Sequence, residues 1–176
     1  IFSLLALTGC GMLTQQPSPW QDDAPEQVAI ADVPFFAQEE YQCGPAALAM
    51  VLNWTGLKFT PESLVSEVYT PGKEGSLQSA LVSSARRHGR IAYPITGMDV
   101  LMAELTANHP AIVLVNLSLD FAPKWHYAVA VGYDKSASEV ILHSGTQANE
   151  RLSLRVFNNI WERSDYWGLL ILPPNK

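Results

Sequence analysis

The chain reads as an α+β domain with its helices and its sheet in separate layers, and three features lead there. Between Gly44 and Ala107 the apolar residues recur as they do on helices, whereas from Ala111 onward they fall into short β-rich runs. Helices first and strands afterwards, without regular alternation, favour an antiparallel sheet over repeated βαβ units. With 48% hydrophobic and 10% aromatic residues in 176, the chain has material for one packed core.

The first ten residues, Ile1 to Cys10, carry no charge and are apolar up to Thr8-Gly9-Cys10. They are too short to span a bilayer as a helix and read as the end of a secretory signal. The ending Leu7-Thr8-Gly9-Cys10 resembles the bacterial lipobox, which implies cleavage before Cys10 and lipidation of its thiol. A lipid anchor through Cys10 would place the protein at a membrane of the bacterial cell envelope, facing the periplasm or the exterior. The alternative is a buried N-terminal strand with an ordinary thiol. Against it, residues 11–27 are rich in Gln, Pro and Asp and read as a flexible tether, leaving residues 28–176 as the folded domain.

Along that domain, Pro45 in a first turn and the apolar run to Trp54, closed by Gly56, predict a buried central helix. Thr60-Pro61 opens a second, Gly75-Ser76 a third that runs to His88 and stops at Gly89, and a fourth spans Asp99 to Ala107. Strands are expected at Ala111–Leu117, His126–Tyr133, Val140–His143 and Leu169–Leu172, with Lys135 to Ser138 turning a hairpin. A last helix fits about Ser153 to Arg163.

The net charge of −6 comes from scattered acidic groups, with no basic run beyond Arg86-Arg87, so nucleic acid is not an expected partner. No His or Cys pairs stand at zinc spacing and no glycine-rich loop precedes a helix, so neither a metal nor another cofactor is expected.

Two cysteines in an exported chain would ordinarily form one disulfide, but lipidation of Cys10 leaves Cys43 unpaired. An unpaired thiol there is either buried or used. Cys43 stands at the start of the buried helix, where unsatisfied N–H groups and the helix dipole favour its thiolate. Gly44 leaves room for close approach, and Gln38 could add a side-chain N–H to the Cys43 N–H as oxyanion donors. A buried cysteine at a helix start remains the plain structural alternative.

Of four histidines, His88 suits a helix C-terminus and His109 lies in a turn before Pro110. His126 opens the strongest strand after the loop Asp120 to Trp125, where a side chain is both held and accessible. His143 ends the next strand, which the hairpin brings near His126.

Taken together, Val33-Pro34-Phe35-Phe36-Ala37-Gln38, Cys43-Gly44-Pro45-Ala46-Ala47 with the helix behind it, and His126 to Tyr133 resemble the bacteriocin-processing cysteine peptidases of the papain clan. The resemblance covers roughly residues 30–145. It implies a papain-like fold and hydrolysis of a peptide or amide bond in a peptide or protein substrate. It makes Cys43 the nucleophile, His126 the general base and Gln38 the oxyanion donor. Two departures stand out. The Gln-to-Cys spacing is five where the family has about six. The family's acid on the strand after the His is missing, because Val140-Ile141-Leu142-His143-Ser144-Gly145 contains none. His143 is the tentative orienting residue, with Ser144, Asp134 or water as alternatives. Trp125, Phe121 and Tyr41 flank the expected site. Losing the acid weakens the base, so a partner-binding module in the same cleft is the rival reading, and acyl transfer to an amine a third.

Overall fold

The computed structural model describes residues 18–38 and 42–174. Helix α1 (Cys43–Trp54) is the centre of the helical layer, with every residue from Gly44 to Leu52 buried. That explains its composition, since a helix covered on all sides needs apolar residues on all sides. It ends where Thr55 N–H reaches the Val51 and Leu52 carbonyls and Gly56 takes a φ of +92°. Helix α2 (Pro61–Val68) starts as expected, with Thr60 accepting from the Ser63 N–H and Pro61 in the first turn.

The third helix begins later than expected. Gly75–Ser76 forms a short strand β3, paired antiparallel with β2 (Tyr69–Thr70) across the 3-10 turn Pro71–Lys73. Helix α3 therefore covers only Gln78–Arg87. Glu74 closes the turn in a left-handed conformation, φ 48°. Helix α4 (Met98–Thr106) lies within a residue of its expected bounds, and α5 (Leu154–Glu162) is capped by Ser153.

The sheet has seven strands: β1 (Gln27–Ala29), β4 (Ile91–Thr96), β5 (Ala111–Asn116), β6 (Trp125–Asp134), β7 (Glu139–Ser144), β8 (Gln147–Ser153) and β9 (Trp167–Leu172). Their order is β4-β9-β5-β6-β7-β8, with β1 also on β6, and every pairing is antiparallel. Strand β6 is the spine. Its first half pairs with β5, and β1 takes over on β6 from Gly132 onward. A Cβ on Gly132 would fall 2.1 Å from the Val28 carbonyl oxygen, so only glycine lets β1 pair there. The layers meet in a core where α1 packs on β6 and β5, and α5 covers the sheet with the stacked rings of Phe157 and Trp161. The arrangement is the expected α+β with segregated layers.

Besides the β2–β3 ribbon, three strands of the sheet lie outside the expectation, β1, β4 and β8, and the last two are its edges. Strand β4 contains Pro94, which a central strand excludes and an edge tolerates. Strand β8, Gln-Ala-Asn-Glu-Arg-Leu-Ser, is mostly polar and exposed, so it shows no apolar signal. The tether also needs correction in its second half. Trp20 packs 6.0 Å from the Tyr133 ring, Ala24 is buried, and Lys135 Nζ donates to the Ala24 carbonyl. Residues 18–27 thus belong to the folded body, because Trp20 buries more apolar surface than a polar linker gains by staying solvated. Residues 1–17, including Cys10, lie outside the described residues.

Candidate active site

Cys43 is the first residue of α1, and Gln42 before it makes no side-chain cap. First-turn N–H groups are thus left to the thiol. The backbone N–H groups of Tyr127, Gly44 and Cys43 itself all bear on the sulfur. Burial nevertheless outweighs them and pushes the thiol above its ordinary value. It is a free cysteine, in no disulfide. Gly44 serves close packing: a Cβ there would lie 2.2 Å from Ser76 Oγ, so the β2–β3 ribbon sits directly against the helix start.

His126 is held by the sheet, paired with Val115 of β5. Its Nε2 lies 3.2 Å from Ser144 Oγ at the end of β7. Burial, and then the nearby Lys124 charge, lower the imidazole from 6.5 to about 4. At neutral pH the site accordingly rests as thiol and neutral imidazole. Cys43, His126, Gln38 and Trp125 share one cleft of about 940 Å³, which Ser76 and Leu77 also line.

Gln38 is buried, and its amide is engaged at both ends. Nε2 donates to the Tyr127 carbonyl at 3.2 Å, and Oε1 accepts from the Gly145 N–H at 3.1 Å. One amide hydrogen remains uncommitted, since a primary amide carries two.

His143 does not orient His126, which corrects the tentative assignment. It follows the alternation of the strand away from Ser144, and its ring is buried against Phe35. Its Nε2 donates to the Val33 carbonyl and its Nδ1 accepts from the Asn149 N–H, so both nitrogens are spent. Burial keeps it below the ordinary histidine value, opposed by the Val33 carbonyl. Asp134 is excluded by distance: eight residues further along β6, it stands roughly 26 Å from His126. There it accepts from Gln27, Ser136, Ala137 and Arg151. His88 pairs with Glu67 and His109 with Glu104, both away from the thiol.

Trp125 lines the cleft, Phe121 is 84% exposed on the neighbouring loop, and Tyr41 lies outside the described residues. Sequence reasoning missed the wall formed by Gly75, Ser76 and Leu77, and also the backbone of Tyr127 and Gly145. Nothing in their residue types marks them. Ser144 stood among the alternatives, and strand alternation alone would have preferred it to His143. Among the described residues no group of three or more His, Cys, Asp or Glu is placed to hold a metal ion. A thiol and a base at a helix start, with N–H donors converging, can perform acyl transfer.

Solved structures share this fold. A structure described as a C39-like peptidase from Bacillus anthracis superposes with a TM-score of 0.70 at 18% identity, covering 86% of this chain and all of that one. The peptidase domain of Streptococcus ComA, a bifunctional ABC transporter, gives 0.63 at 23% identity over 79% of this chain and 96% of that one. A double glycine motif protease from an AMS/PCAT transporter, in complex with the leader peptide, gives 0.64 at 20% over 82% and 94%. At such identities the likeness establishes the papain-like fold. Among curated proteins none matches. The model of the Peptidase_C39 like family matches residues 30–168. Since that span takes in the Gln38, Cys43 and His126 positions and most of the chain, the protein belongs to the Peptidase_C39 like family of cysteine peptidases.

Proposed function

We propose that the protein is a working cysteine peptidase in which Cys43 attacks and His126 serves as base. One observation carries the reading: the uncapped start of α1 brings Cys43 into the same cleft as an imidazole tethered through Nε2 to Ser144. With Nε2–H given to Ser144 Oγ, the Nδ1 lone pair is left to take a proton. The thiol proton passes to Nδ1 as sulfur bonds to the substrate carbonyl carbon. The oxyanion is held by the Cys43 N–H and the uncommitted Gln38 hydrogen. The imidazolium then protonates the leaving amine, the C–N bond breaks and a thioester remains. Water, deprotonated by His126, attacks that thioester and releases the acid and the thiol. Because the pair starts neutral, proton transfer accompanies attack instead of preceding it.

Peptide is the proposed substrate class, supported by the leader peptide bound to one structural neighbour. An envelope location with a lipid on Cys10 is supported by the Leu7-Thr8-Gly9-Cys10 sequence. Incorporation of a clickable fatty acid in the wild type and its loss in Cys10→Ser tests the anchor. The absent acid favours a second reading, in which the cleft binds a peptide without turning it over. Activity-based labelling of membranes from wild type and Cys43→Ala decides between them. Labelling lost in Cys43→Ala, with envelope peptides accumulating there, supports the peptidase. A wild-type thiol no more reactive than a model thiol, with no accumulating peptide, leaves only the binding module.

A further inference from the structure

Strands β6 and β7 are in register through Val129 and His143. Two residues further on, the same register sets Tyr127 opposite Gly145, and a regular ladder would join them by a pair of backbone hydrogen bonds. They are not joined. Gln38 occupies the gap: its Nε2 donates to the Tyr127 carbonyl, its Oε1 accepts from the Gly145 N–H, and its own N–H donates to the Gly145 carbonyl at 2.9 Å. Three of the four backbone groups of that missing pair are therefore satisfied by one residue from another segment. The fourth, the Tyr127 N–H, leaves the strand on the same edge as the carbonyl that Gln38 holds, and Tyr127 and Cys43 line one cleft there, where that N–H favours the thiolate. His126 and Ser144, immediately before the two split residues, close the opening with their own side-chain contact.

We propose that Gln38 is a positioning residue for the thiol: wedged between β6 and β7, it withholds the Tyr127 N–H from the ladder and delivers it to Cys43. This role is separate from oxyanion binding, because it acts on the resting sulfur before any substrate arrives. It also accounts for the burial of Gln38, which a donor serving only the open cleft would not require. The inference rests on Cys43 being the reacting group.

Alkylation by iodoacetamide separates the two roles, since substitution at sulfur passes through no oxyanion. Its rate is followed against pH for the full chain and for Gln38→Met, which keeps the volume but removes the amide. Closing the ladder takes the Tyr127 N–H from the thiolate. The alkylation midpoint should then rise by about one pH unit or more, the worth of a hydrogen bond to a charged group. In the wild type the Tyr127 amide resonance should follow the Cys43 titration, a measurement that needs no variant. An unchanged midpoint in folded Gln38→Met, or a Tyr127 amide blind to the thiol, overturns the proposal. A shifted midpoint in a protein that cleaves no peptide leaves the wedge standing and removes the peptidase reading instead.

Discussion

Placing a carboxylate at Ser144, against the His126 ring, should strengthen the base. Ser144 Oγ stands 3.2 Å from His126 Nε2, so Ser144→Asp brings a negative charge to the ring without moving the strand. An opposite charge that close raises an imidazole by about one to three units. Starting from about 4, His126 would titrate between about 5 and 7. Each unit is about 1.4 kcal/mol of extra stabilisation for the imidazolium. If about half of it is present in the transition state for attack, the gain is on the order of 0.7–2 kcal/mol, or about three- to thirtyfold in rate. Two assays read this: the pH dependence of Cys43 alkylation from pH 4 to 9, and NMR titration of the His126 ring. The variant should alkylate faster than the wild type at neutral pH, because a larger share of the pair is thiolate–imidazolium, with the ring titrating higher. A folded Ser144→Asp whose His126 still titrates near 4 would show that Ser144 does not govern the base.

Acid stability should carry the signature of His126. Its folded value of about 4 lies below the ordinary 6.5, so the contribution is complete above pH 6.5 and is lost as pH falls toward 4. Urea unfolding of the wild type at pH 7 and pH 4.5 should include a loss of about 2–3 kcal/mol from this group, absent in His126→Gln. Gly44→Ala drives a methyl group into Ser76, 2.2 Å from Oγ and 2.5 Å from Cβ. It should cost about 1–3 kcal/mol in thermal or urea unfolding, most of it recovered by adding Ser76→Gly.

How much of this was legible beforehand depended on whether a residue's type or its address carried the information. Cys43, with Gly44, Pro45 and an unbroken apolar run behind it, announces a buried helix with a thiol at its head, and that is what folds. His126 was separable from three other histidines because only it opens a strand beside a loop. Strands β4 and β8 hid because edges need neither an apolar pattern nor freedom from proline. The choice between His143 and Ser144 turned on which face of β7 each occupies, fixed by the pairing with β6. The Gln38 contacts were beyond reach for a deeper reason: its partners are backbone groups of Tyr127 and Gly145, about ninety and more than a hundred residues away.

The docking of Trp20 and Ala24 beside Tyr133 fixes where the chain enters the body: at the far end of β6 from His126. Whatever precedes Ser18 is joined about the length of that strand away from the cleft. Were that leader held at a surface, the cleft would stand about a strand's length from the point of attachment. Substrate access to Cys43 and attachment at the N-terminal side would then use opposite ends of β6.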